Sequence, residues 1–129
     1  MYMLDTNTVS YLFRQNPQVM GKLAQTRPVE VCISSITEAE LLYGVAKRKS
    51  KTLTAAVQGF LDTVSVYPWD SEAAKSYGQL RAAMEKKGKV MGPLDQLIAA
   101  HALSRNATII TSDRAFAMVG GLRVEDWTL

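Results

Sequence analysis

Apolar residues in this chain gather in short runs, separated by longer stretches in which they recur every three or four positions. Five runs have the length and the β-branched or aromatic content of strands: Tyr2 to Leu4, Val29 to Ser34, Val64 to Tyr67, Thr108 to Thr111 and, more faintly, Leu122 to Val124. The stretches between them carry helical spacing. Pro17 opens a short helix through Leu23, and Thr37 to about Arg48 and Leu53 to Asp62 follow. Ser71 to Lys87, ended by Gly88, is the longest, and a last helix runs from about Leu94 to Ser104 after the Gly92-Pro93 break. The segment between Asp5 and Pro17 is left without a regular element. Strands alternating with helices predict an α/β fold with a parallel sheet covered on both faces.

Four carboxylates stand where such a run gives way to a helical pattern or just inside that helix: Asp5, Glu40, Asp95 and Asp113. In an alternating α/β chain these junctions share one edge of the sheet, so residues more than a hundred positions apart can converge on one crevice. Four negative charges there repel one another by roughly 3 kcal/mol per pair at about 5 Å and an effective dielectric of about 20. A bound divalent cation relieves that repulsion, and hard oxygen ligands suit Mg²⁺ or Mn²⁺.

Each acid also has a plainer explanation. Asp5, followed by Thr6, Asn7 and Thr8, can be an N-cap. Thr37-Glu38-Ala39-Glu40 has the spacing of a capping box. Asp95 lies in a first helical turn, where the dipole favours an acid, and Asp113 follows Thr111-Ser112 at a strand end, where an Asx turn forms readily. Capping needs only one side-chain oxygen per helix, and Ser, Thr or Asn serves as well at most of these places. An acid at all four junctions therefore favours the shared site. If Glu40 faces the crevice, Tyr43 and Gly44 lie on the same helical face, and Gly44 allows another element to come close.

At 129 residues and 47% hydrophobic content, the sequence is expected to form one domain over residues 1–129, with a core that needs no staples. Cys32 is the only cysteine and sits in an apolar run, which excludes an intrachain disulfide and makes packing its expected role. Met1-Tyr2-Met3-Leu4-Asp5 lacks the features of a secretory signal and no apolar stretch approaches a membrane span, so a soluble, cytoplasmic protein is expected. The only histidine, His101, is about 120° around a helix from Asp95 and about 9 Å along it. It shares a face with Leu94, Leu97 and Ile98, which predicts a packed or hydrogen-bonded core residue. The formal charge of +3 is concentrated in Lys47-Arg48-Lys49 with Lys51 and in Lys86-Lys87 with Lys89. These read as solvated helix ends, or as contacts to a polyanion. Tyr43 and Trp69 could stack on bases, but packing is the expected role of each.

The motifs then resemble the PIN-domain nucleases and, within them, the VapC-type toxins of toxin–antitoxin systems. The matching stretches are Met3-Leu4-Asp5-Thr6-Asn7, Ile33 to Gly44 with its Glu-Leu-x-x-Gly pattern, Gly92-Pro93-Leu94-Asp95-Gln96-Leu97-Ile98-Ala99, Ile110 to Phe116, and Gly121 to Trp127 ending in Glu-Asp-Trp. They occur in order from end to end. Carried over residue by residue, the family's acidic quartet falls on Asp5, Glu40, Asp95 and Asp113. Many relatives have a further acid immediately before the phenylalanine of the last motif, where this chain has Ala115, so the fourth carboxylate falls to Asp113.

The resemblance implies a three-layer α/β/α fold with a twisted parallel sheet of about five strands, and a mostly helical segment near residues 50–90 that helps form a homodimer and an antitoxin groove. It implies a Mg²⁺-dependent endoribonuclease, with Mn²⁺ a possible substitute, that hydrolyses transfer RNA or other structured RNA. It also implies a VapB-like antitoxin through which alone the operator DNA is bound, and no membrane. The two basic clusters, with Arg81 and Arg114 as further candidates, would hold the phosphates that flank the cut. Two rival readings differ in class. A signalling receiver would normally show adjacent acids after an early strand and a late lysine, which this sequence lacks. A catalytically silent PIN-like module that only binds RNA or an antitoxin gains some room from Ala115.

Overall fold

The computed structural model describes residues 1–129. Five short strands, β1 (Tyr2–Leu4), β2 (Val31–Ser34), β3 (Ser65–Tyr67), β4 (Thr108–Ile110) and β5 (Arg123–Glu125), form one parallel sheet in the order β3-β2-β1-β4-β5. Six helices connect them: α1 (Thr6–Phe13), α2 (Pro17–Ala24), α3 (Ser35–Arg48), α4 (Lys51–Thr63), α5 (Ser71–Lys86) and α6 (Pro93–Ser104). No helix is long and apolar enough to cross a membrane.

The alternation of side chains along a strand explains why the helices divide into two layers. Met3, Cys32 and Ile109 project from one face of the sheet and pack with Leu80 and Met84 of α5 and Ile98, Ala99 and Ala102 of α6. Leu4, Ile33 and Ile110 project from the other face and meet Val9 of α1, Val19 of α2, Leu41 of α3 and Val57 of α4. Because β1, β2 and β4 are covered on both sides, they read as continuous apolar runs. The centre of α6 is buried all round, from Ile98 to Ala102, and its alanines let it lie close to both sheet and α5. Trp127, just past β5, closes the second core by packing on Tyr2 at 5.7 Å between ring centroids.

The five-strand parallel sheet between helices is the expected one, with several local differences. Helix α1 occupies part of the segment left unassigned. Its sequence, Thr6 to Phe13, is rich in β-branched and hydroxyl residues with weak helix propensity, and it forms because Asp5 caps it and Val9 is fully buried against the sheet. Strand β2 begins at Val31 rather than Val29, since Pro28–Glu30 make a 3-10 turn. Helix α3 begins at Ser35, capped by Ser34, whose Oγ accepts the Ile36 N–H at 3.1 Å. Thr37 is therefore inside the helix and no Thr37–Glu40 capping box exists. Strand β5 is one residue later than expected and fully exposed along its length.

Candidate active site

In the strand order β3-β2-β1-β4-β5 the connections leave β1 for β2 on one side, while β4 lies on the other. The gap beyond the carboxyl ends of β1 and β4 is the topological switch point, where open α/β sheets place their ligands. Asp5 follows β1 and Asp113 follows β4, so both stand at that gap. Glu40 reaches it from the second turn of α3, and Asp95 from the first turn of α6 after Pro93.

Asp5 is almost fully buried but well supplied with donors. Its Oδ1 accepts the Thr8 N–H at 2.8 Å, and the Thr111 hydroxyl donates to the same carboxylate. Burial pushes its pKa above the ordinary value, hydrogen bonds from Thr111 and Thr8 pull it back, and the charge of Asp113 pushes it up again. The main chain is fixed too: the Asp5 N–H and the Thr8 hydroxyl both donate to the Ile110 carbonyl, at 3.1 and 2.9 Å, stitching the end of β1 to the end of β4.

Glu40 accepts a hydrogen bond from the Thr6 hydroxyl at 2.7 Å, which ties α3 to α1. Asp113 behaves as the Asx turn expected of it, its Oδ1 accepting the Ala115 N–H at 2.9 Å, while its own N–H donates to Thr111 Oγ1 at 3.0 Å. A capping role and a place at the gap are thus not exclusive, for Asp113 or for Asp5.

Asp95 differs from the other three because no hydrogen-bond donor reaches its carboxylate. Its pKa is pushed up to about 6, first by burial and then by the charges of Asp113, Asp5 and Glu40 in turn. Four carboxylates from four separate elements therefore lie within electrostatic reach of one another, and no cation is among the influences on Asp95. They do not form a closed cage, since no three acidic, histidine or cysteine side chains are gathered tightly enough to enclose an ion.

The remaining candidates differ in their surroundings. Arg81 is held within its own helix, its Nε 3.0 Å from Glu85 Oε1 and its Nη1 donating to the Tyr77 hydroxyl at 2.9 Å. Arg114 is exposed, one residue past Asp113. His101 is fully buried, with Nδ1 2.7 Å from Ser34 Oγ, and its pKa is lowered mainly by burial, so it is a neutral core residue as expected. Its Nε2 has no partner. Burial also raises the Cys32 thiol to about 11, which suits packing and not nucleophilic chemistry. Trp69 packs edge-on against Tyr77 and donates to the Leu97 carbonyl at 2.9 Å. Tyr43 does not pack: it is 65% exposed, with only the Lys47 ammonium 5.7 Å from its ring centroid. Nor does Gly44 admit a neighbour, since a Cβ there would meet nothing within 4 Å. The sequence reading missed the hydroxyls of Thr6, Thr8 and Thr111, whose one visible signal was the Thr6-Asn7-Thr8 run next to Asp5.

A family model described as PIN domain matches residues 2–122. The chain belongs to the PIN-domain family. Within that family it is 40% identical over 129 residues to the tRNA(fMet)-specific endonuclease VapC of Shigella flexneri, covering 98% of each chain. Among solved structures, it matches the VapBC2 complex of Rickettsia felis bound to a DNA fragment from its promoter with a TM-score of 0.90 and 34% identity, over 98% of each chain. It matches DNA-bound VapBC of Salmonella typhimurium with a TM-score of 0.89 and 39% identity, over 98% of this chain and 97% of that one. This PIN-domain protein is accordingly a nuclease of the VapC group. PIN-domain nucleases are generally dependent on a divalent metal.

Proposed function

We propose that this chain is the toxin of a type II toxin–antitoxin pair, a Mg²⁺-dependent endoribonuclease whose metal and substrate phosphate are held by Asp5, Glu40, Asp95 and Asp113. The observation that carries this reading is the meeting of four carboxylates from four elements at the switch point, where burial first, and then the charges of Asp113, Asp5 and Glu40, push Asp95 up to about 6.

The donor set fits a magnesium ion. All four groups supply hard oxygens, and such an ion keeps several waters and takes only one or two carboxylates directly. A cation bound there would activate a water and offset charge on the phosphate. The chain's own contribution is orientation. Asp5 is locked by Thr8 and Thr111, Glu40 by Thr6, and Asp113 by the Ala115 N–H, so three carboxylates are preset. Asp95, without donors, remains free to turn toward an ion. Hydrolysis should leave a 5′-phosphate and a 3′-hydroxyl.

Transfer RNA is the proposed substrate class, following the name of the 40%-identical Shigella flexneri relative. A VapB-like antitoxin is the proposed partner, with operator DNA bound only through it and the nuclease as a homodimer, following the VapBC complexes that this chain resembles. The test is cleavage of bulk transfer RNA by the purified protein, with Mg²⁺, with Mn²⁺ and with EDTA. Metal-dependent cutting that disappears in Asp5→Asn and Asp95→Asn is expected. Cutting that survives either substitution defeats the residue assignment, and tight metal binding without cleavage of any RNA would favour the silent binding module.

A further inference from the structure

Besides Arg81 and Arg114, a second pair of basic side chains, Arg14 and Arg48, lines a groove that reaches Glu40. A small cavity of about 130 Å³ is lined by Thr6 and Glu40 at one end and by Gly44 and Arg48 further along. A larger one, about 470 Å³, is lined by Arg14, Arg48, Asn7, Ser50 and Thr52. The two share Ser10, Phe13, Arg48 and Leu53, so they form one groove between α1 and the α3–α4 corner. It starts at Glu40 and ends between two guanidinium groups.

Three features make the far end suited to an anion. Both arginines are exposed and neither is in an ion pair, since the molecule's one salt bridge is Arg81–Glu85. Arg14 is held in place without losing its charge, its Cζ 4.7 Å from the centre of the Tyr11 ring. The other polar lining groups there are neutral hydroxyls and an amide, and the larger cavity contains no carboxylate. The start of α4 is not needed for this, because Ser50 Oγ already accepts the Leu53 N–H at 3.2 Å.

We propose that this groove is the track of the RNA strand on one side of the cut, with Arg14 and Arg48 as positioning residues that hold a backbone phosphate. This rests on the ribonuclease reading above and deepens it by naming a substrate subsite. Eight residues of α3 separate Glu40 from Arg48, about 12 Å along the helix axis. Stacked nucleotides rise about 3.4 Å each, so the held phosphate lies a few nucleotides from the bond that is cut. Gly44 has no side chain to bar the way, and a Cβ there would still meet nothing.

The experiment uses bulk transfer RNA and two readouts: KM and kcat of cleavage in the active protein, and the salt dependence of RNA binding in an Asp5→Asn background that binds without cutting. Arg48→Ala and Arg14→Ala should each raise KM about three- to tenfold, by more than they lower kcat. Each should reduce the slope of log Kd against log salt by about 0.7 to 0.9, the loss of one phosphate contact. Arg48→Lys should keep the slope, and Gly44→Leu, which fills the passage and keeps every charge, should raise KM as well. An unchanged KM and salt slope in the Arg14→Ala/Arg48→Ala double variant overturns the proposal, as does weakened antitoxin binding with RNA binding intact. If the unmodified protein cuts no RNA, the ribonuclease reading fails, while the salt slopes still decide whether RNA follows this groove.

Discussion

Asp5 and Asp95 stand at the same gap, yet the fold treats them in opposite ways. Asp5, at the end of the central strand, is 2% exposed and is compensated by donors from Thr8 and Thr111. Asp95, at the start of a helix, is less buried and has none, and its pKa rises to about 6. Burial raises both acids, but hydrogen bonds draw Asp5 back, whereas at Asp95 the charges of Asp113, Asp5 and Glu40 add to burial and no donor offsets them. Asp5 doubles as the N-cap that organises α1, so it belongs to the fold as much as to the site. Asp95 is set in a helix whose start is already defined by Pro93, and no capping bond depends on its side chain.

The largest effect expected from this contrast is on cleavage, where it should vanish. Asp5→Asn and Asp95→Asn should both lower kcat by about a hundredfold or more, because each removes one oxygen charge from the same site. The contrast should reappear when folding is measured without metal. Asp5→Ala deprives α1 of its cap and should cost about 1–2 kcal/mol, whereas Asp95→Asn removes a repelled charge and should stabilise the metal-free protein at neutral pH. Denaturant titrations of the two variants in EDTA check this. Equal losses of stability would mean that Asp95 also supports the fold.

The pH dependence of the metal-free protein follows from the same asymmetry. The folded-state pKa of Asp95, about 6, lies above its unfolded value of 3.8, so the folded state binds the proton more tightly. That contribution is fully present below about pH 4 and is lost as pH rises through 6. Asp5, also raised, adds in the same direction. After discounting for solvent around Asp95, the loss should be about 1–2 kcal/mol. Thermal melts in EDTA between pH 4 and 7.5 should show it, Asp95→Asn should reduce it, and Mg²⁺ should reverse it at neutral pH. Metal affinity should correspondingly weaken as pH falls below about 6. A binding isotherm unchanged from pH 5 to 8 would separate Asp95 from the ion.

The contrast also marks what could be read from the sequence. Parallel strands show as apolar runs because both faces are covered, and α5 and α6 show because Gly88 and Gly92-Pro93 punctuate them. That pattern alone puts Asp5 and Asp113 after strands, and Glu40 and Asp95 in the early turns of helices. Helix α1 did not show, since its residues favour a helix only once Asp5 caps them and Val9 is buried. Nor did the true start of α3, because Ser34 is at once the last residue of a strand and a cap. Least visible were the donors. The Thr6–Glu40 bond spans 34 residues, and Thr111 lies 106 positions from the carboxylate it supports. Local sequence reports which groups carry charge, but the partners that relieve or fail to relieve it are assembled by tertiary packing.

The smallest predicted effect tests the contrast most directly, by giving Asp95 the donor it lacks. Gly92 is the N-cap of α6 and makes no side-chain capping bond, and a Cβ added there would sit 3.4 Å from Asp95 Oδ2, an ordinary contact. Gly92 has φ −56°, which any L residue adopts, so Gly92→Ser should fold without strain. Its hydroxyl can donate to the Asp95 carboxylate and should draw the pKa down from about 6, while serine in place of glycine at an N-cap adds a few tenths of a kcal/mol. The pH-dependent loss of stability in EDTA should shrink, and with it part of the gain from Mg²⁺, because a carboxylate already compensated has less repulsion for the ion to relieve. If Gly92→Ser raises stability equally at pH 4 and pH 7.5, the serine is only a better cap and the missing donor is not what sets Asp95 apart from Asp5.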